Sequence, residues 1–226
     1  MFRRVLFGPN TVRVVSPPQP ILTGQLANST KIGRFAKLLR AEIVEKRGMM
    51  NLVVFGDNLI GKSVKALCIA REGFHDTETS PGCISDLVLS VVPCVVDSPA
   101  KQREDVISLE FLISTRQNQF ADPKSQPVEL SVSSNMDYET LARKLHAMYL
   151  KKSADSFVLR CMGYSSAATI VKALGLFNQR VDSHKLHAAI RTESVPDSYM
   201  RGSNKPSDRS LRAIVFEVVV LDNTSD

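Results

Sequence analysis

The chain repeats itself. Displaced by 107 residues, the sequence matches its own continuation without a gap at three separated places. Lys37-Leu38 meets Lys144-Leu145, and Val64-Lys65-Ala66-Leu67 meets Val171-Lys172-Ala173-Leu174. Ile107–Ile113 (ISLEFLI) meets Ile214–Val220 (IVFEVVV), with Glu110 on Glu217, and Gly56 falls on Gly163. A period this long is not that of a solenoid and predicts two similar domains in tandem. A chain of 226 residues accommodates two such units around a sizeable core. The polar, Pro-containing stretch Gln117 to Pro127 has no apolar periodicity and reads as the junction. The expected organisation is an N-terminal arm or targeting segment (1–19), domain one (20–117), a linker (118–126) and domain two (127–226).

Both copies spell the same order of elements. Strands are expected around Ile21–Leu26 and Val128–Val132. Ile32, Phe35, Leu39 and Ile43 then recur at helical spacing, as do Leu141, Leu145, Met148 and Tyr149, with Asn135 or Asp137 as the cap of the second helix. Strands Asn51–Phe55 and Phe157–Cys161 lead through a glycine turn into helices over Leu59–Phe74 and Ala167–Val181. Two strands close each unit: Leu87–Val96 or Leu186–Arg191, then Ile107–Ile113 or Ile214–Val220, the last of these alternating at period two. The expected fold class is α+β: tandem β-α-β-α-β-β units, each with two helices packed on a mixed four-stranded sheet.

Charge bears on the partner. The formal net charge of +6 favours an anionic one. Half of that excess sits in the first twenty residues, where Arg3, Arg4 and Arg13 face no acid, so any nucleic-acid surface on the body is a local patch. The opening MFRRVLF is also what a short mitochondrial targeting peptide looks like, although a docking arm ending at Pro17-Pro18-Gln19-Pro20 reads equally well. Cys68, Cys83, Cys94 and Cys161 form no CxxC pair, so no metal or cofactor is expected, and a reducing compartment suits them. His184 and His187, three apart, read as a surface pair that could share a helix face. No apolar run is long enough for a membrane span.

One motif points elsewhere. Gly56-Asp57-Asn58-Leu59-Ile60-Gly61-Lys62-Ser63 satisfies GxxxxGK[ST] between a strand and a helix. In a nucleotide site Lys62 would meet the phosphates and Ser63 a magnesium ion. Against this, each unit offers only two βα steps before a hairpin, and the equivalent turn Gly163–Ile170 lacks the Lys-Ser pair. The same turn suits a nucleic-acid phosphate. Nothing else in the sequence groups into a catalytic constellation, so a non-enzymatic role is expected.

The order of elements resembles the Alba superfamily. Leu59-Ile60-Gly61-Lys62-Ser63-Val64-Lys65-Ala66-Leu67-Cys68-Ile69-Ala70-Arg71-Glu72-Gly73-Phe74 is similar to the second helix of the branch containing stage V sporulation protein S, with Glu72 as one residue more than that pattern has. Asp86–Leu89 and Val106–Ile113 fall where the closing strands of that branch belong. The specific likeness covers residues 50–115; in copy two only the VKAL core persists. The resemblance implies binding of DNA or RNA, usually by a dimer, for which a tandem pair would substitute. It implies contacts from Lys31 and Arg34 at the first helix and from Lys62 in the glycine turn. In copy two Lys31 becomes Tyr138 and Lys62 becomes Thr169. It also implies contact through the closing hairpins. Asp97–Asp105 nets −1, whereas Asp197–Arg212 nets +2 through Arg201, Lys205, Arg209 and Arg212. With no Trp and 6% aromatic residues, stacking platforms are scarce and recognition should follow the phosphate backbone. The expected partner is RNA rather than DNA. Alternatives are a structural subunit or assembly factor of a mitochondrial ribonucleoprotein, docking on protein through the Val215/Val219 sheet face, and a nucleotide-binding protein.

Overall fold

The computed structural model describes residues 31–45, 49–75, 86–93, 106–114, 126–151, 156–181, 186–196 and 210–220. The first half runs α1 (Ile32–Glu45), β1 (Met49–Phe55), α2 (Gly56–His75), β2 (Asp86–Pro93) and β3 (Val106–Ser114). The second runs β4 (Val128–Val132), α3 (Tyr138–Leu150), β5 (Ser156–Cys161), α4 (Tyr164–Arg180), β6 (Leu186–Pro196) and β7 (Ser210–Val220). The protein is α+β, the described residues forming four helices on a mixed sheet. The expected strand Ile21–Leu26 lies outside the described residues.

The second half contains the mixed four-stranded arrangement, in the order β4-β5-β7-β6, with β4 parallel to β5 and the other pairs antiparallel. Two separate sheets were the expectation, and here the structure differs. The described strands form one seven-stranded sheet, β1-β3-β2-β6-β7-β5-β4. The halves meet where β2 pairs antiparallel with β6 through Val88↔Ala189 and Leu89↔Ala188. Each of these strands would otherwise be an edge with a free row of backbone donors and acceptors, and at these pairs each meets the other. β3 pairs with β2 and β7 with β6 in corresponding fashion, and in that correspondence Leu89 pairs with its own counterpart, Ala188.

The helices lie side by side in the order α1, α2, α4, α3. Alternation explains how the sheet receives them. Phe157, Leu159 and Cys161 of β5, Leu186, Ala188 and Ile190 of β6, and Ile214, Phe216, Val218 and Val220 of β7 are buried in one core with the apolar faces of all four helices. Phe177 of α4 occupies its centre, fully buried, with edge-on contacts to Phe157, Tyr149 and His146 at centroid distances of 5.9, 6.2 and 6.4 Å. Small residues (Ala167, Ala168, Ala173, Gly175) let α4 sink among its neighbours. α3 begins where expected: the Asp137 carboxylate accepts a hydrogen bond from the Thr140 amide at 2.8 Å.

The central helices bind the halves together. α2 reaches across to β6, where Arg71 Nη1 donates to the Ile190 carbonyl at 3.1 Å, and α4 reaches back to β2. At their crossing Gly61 lies so close to the first residue of α4 that a Cβ would sit 2.5 Å from Tyr164 Cα. Asp57 of α2 forms an ion pair with Lys172 of α4 there. The expected helix face for His184 and His187 is not formed: His187 lies in strand β6, and His184 is outside the described residues.

Candidate nucleic-acid interface

Both strand-to-helix junctions turn on a glycine with positive φ, +72° at Gly56 and +82° at Gly163. A Cβ at either would meet nothing, so the requirement there is conformational rather than spatial. α2 starts at Gly56 itself. Of the GxxxxGK[ST] segment only the first amides remain unspent at the helix terminus, because from the second turn each N–H pairs with the carbonyl four residues back. The Ser63 hydroxyl is fully buried and donates to the Leu59 carbonyl at 2.7 Å. It faces the protein, and the segment is a helical turn where a nucleotide site needs a loop wrapped around phosphates. The second half repeats this: Thr169, the counterpart of Lys62, is 8% exposed and donates to the Ser165 carbonyl at 3.1 Å.

α1 ends just before β1 and packs along α2, which follows β1 directly. Chain direction therefore brings the first turns of both helices to the same end of the sheet. Lys31 immediately precedes α1, its carbonyl accepting from the Arg34 and Phe35 amides at 3.1 Å. Lys31 and Arg34 are exposed, and Lys62, in the second turn of α2, is half-buried. These three expected residues share a region. The hairpin residues do not join them. Arg201, Lys205 and Arg209 lie outside the described residues. Arg212 is not in a loop as expected but in strand β7, exposed, its Nη1 4.0 Å from Glu72 Oε2 near the far end of α2 from Lys62. Glu72 also accepts from the Thr192 hydroxyl, so Arg212 faces a carboxylate already engaged with the sheet.

The sheet face turned away from the core carries a chain of ion pairs across four strands. Arg160 of β5 donates to Glu129 of β4 at 2.6 Å and lies 3.4 Å from Glu193 of β6. Arg191 of β6 pairs with Glu217 of β7 at 2.7 Å and with Glu193 at 3.2 Å. The hydrogen bond to Glu129, foremost, holds the Arg160 guanidinium still more firmly protonated than usual. Val215 stands between Arg160 and Arg191 in register and is fully buried. It therefore offers no surface for the protein docking expected of it, and Val219 is half-buried.

Cys68 and Cys161 are buried, and desolvation pushes both thiols up to about 12, so neither supplies a thiolate near neutral pH. Among the described residues no three His, Cys, Asp or Glu side chains gather to hold a metal ion. Among them, too, no helix is long and apolar enough to cross a membrane.

The structure continues the cationic row along α1 to Lys37, which is exposed, and Arg40, which is half-buried. The signal was present in the spacing of three between successive cations and in the absence of any acid from Lys31 to Ala41. No protein-family model matches this chain, and no curated protein matches it.

Proposed function

We propose that the protein binds nucleic acid, RNA in preference to DNA, and holds it without altering it, as two tandem Alba-like domains (20–117 and 127–226) joined into an intrachain counterpart of a dimer. The observation that carries this reading is the junction at Gly56. The positive-φ glycine starts α2 beside α1, and the parallel course of the two helices brings Lys31, Arg34 and Lys62 towards one end of the sheet. Phosphates need donors and positive charge without nearby acids, and α1 has no acid in its first turn. The helical state of Gly56–Ser63 and the inward hydroxyl of Ser63 favour this over a nucleotide site. Arg201, Lys205, Arg209 and Arg212 would make a separate basic contact, since Arg212 lies near the far end of α2 from Lys62.

A second reading has one observation in its favour. Arg160, Arg191 and Lys172 are all paired with carboxylates, which leaves fewer cations for RNA than a stand-alone binder would display. A structural subunit of a ribonucleoprotein, sharing its RNA with other proteins, suits that balance, and the arginine-bearing N-terminal segment suits a mitochondrial one.

The test is a salt titration of binding to a labelled single-stranded RNA, with the matched DNA and a Mg-ATP control. The expected result is salt-dependent binding, tighter for RNA, that weakens when Lys62 or the four hairpin cations become alanine. Absence of binding at low salt would refute the stand-alone reading, and saturable Mg-ATP binding abolished by Ser63→Ala would refute both.

A further inference from the structure

We infer that phosphate contact is one-sided: it runs along the outer row of α1, through Lys31, Arg34 and Lys37, and has no counterpart on α3. The inference rests on the nucleic-acid reading above and assigns which part of the molecule carries it.

The first ground is the commitment of charge. Lys31, Arg34 and Lys37 are exposed, and among the described residues none of their side chains has an ion pair or a hydrogen-bonded partner. The cations of the open sheet face and of the helix crossing are engaged with carboxylates instead. A phosphate meeting Arg160 or Lys172 would have to displace Glu129 or Asp57, whereas one meeting α1 displaces only counterions.

The second ground is geometry. Cations three residues apart on a helix step about 4.5 Å along the axis and about 60° around it, so the three span about 9 Å as one inclined row. Leu38, 54% exposed, lies one turn beyond Arg34 on the same side. No acidic side chain interrupts the row between Lys31 and Ala41.

The third ground is the comparison with α3. The counterparts of Lys31, Arg34 and Lys37 are Tyr138, Leu141 and Lys144. Lys172 Nζ lies 5.4 Å above the Tyr138 ring, and Leu141 is buried in the core. The start of α3 instead carries Asp137 and Glu139. The Thr140 amide holds the Asp137 carboxyl below its ordinary range, so it stays ionised and repels phosphate there. The starts of α1 and α3 thus have opposite electrostatic character.

The test uses the full chain, a labelled single-stranded uridine 20-mer, and affinities across a salt series. One variant is Lys31→Ala/Arg34→Ala/Lys37→Ala; the other is Arg143→Ala/Lys144→Ala/Lys151→Ala, which removes two exposed cations of α3 and the one that caps its C-terminus. All six side chains are exposed, and equal melting temperatures will show that both variants fold. Losing three phosphate contacts to a single strand should lower the log–log salt slope by about 2, while the α3 variant should stay within about 0.5 of the parent. Equal slope losses in both variants, or an unchanged slope in the α1 variant with the parent still binding, would overturn one-sidedness and leave the nucleic-acid reading standing. A parent without salt-dependent binding would overturn both.

Discussion

Gly61→Ala tests the crossing of α2 and α4 most directly. Carbon atoms in ordinary contact lie about 3.5–4.0 Å apart, but a Cβ on Gly61 would lie 2.5 Å from Tyr164 Cα. The obstacle is backbone, which no rotamer change can move aside. The helices would have to separate by about 1 Å, at an overpacking cost of about 3 kcal/mol, the upper end of what extra methyl groups cost in cores. Alanine's helix preference over glycine returns about 1 kcal/mol. The net loss is about 2 kcal/mol, which for a chain of this size lowers the melting temperature by about 4–8 °C. Gly33→Ala is the matched control: this exposed helical glycine has no atom within 4 Å of an added Cβ, so alanine there should raise stability by up to about 1 kcal/mol. Urea denaturation reads both, with a lower midpoint and unchanged slope expected for Gly61→Ala. A Gly61→Ala protein as stable as the parent, alongside a stabilised Gly33→Ala, would refute the close approach of the two helices.

Phe177→Ala removes the aromatic centre of the core and should cost about 3–5 kcal/mol, measured by the same denaturation, with a loss below about 1 kcal/mol counting against that packing. Ser63→Ala exchanges an intrahelical hydrogen bond for a better helix former, so stability should change by less than about 1 kcal/mol and RNA affinity should hold, whereas a tenfold affinity loss would place Ser63 at the ligand. Folding raises the Cys161 thiol from 9.0 to about 12, so the folded state keeps a proton that the unfolded state gives up. Its contribution is intact below about pH 9 and is lost as pH rises toward 12. Cys161→Ala should therefore flatten the decline of stability between pH 9 and about pH 10.5, and identical slopes in parent and variant would contradict the burial of this thiol.

Local order was legible because local chemistry sets it. Ile32, Phe35 and Leu39 announce α1, the alternation of Ile214, Phe216 and Val218 announces β7, and Asp137 marks the start of α3. The β2–β6 pairing was not legible. It is made by main-chain groups around Leu89 and Ala188, residues about 100 positions apart, and no side-chain pattern reports that two edges will meet. The GxxxxGK[ST] match was ambiguous for a related reason. Its residue types fit a loop or a helix start equally, and the helix that forms brings Gly61 against Tyr164 of the other half of the chain. Lys31, Arg34 and Lys62 were named only through the Alba resemblance, and the local helix-strand-helix unit that they flank puts them at one end of the sheet. The place of Arg212 was not legible, because it depends on how far β7 extends beyond the alternating run.

The join between β2 and β6 also sets a clock. β2, DLVLSVVP, is complete as soon as residue 93 has been synthesised, but its partner strand β6 begins only at Leu186. At about 5–20 residues per second, a ribosome leaves that edge waiting on the order of 5–20 s before its partner exists. The run between is mostly apolar, with three valines, the kind that recruits other strands, and it is bracketed by Asp86 and Pro93, a charge and a residue without a backbone donor. During synthesis these two residues would guard an edge that in the finished protein meets β6 at Val88 and Leu89.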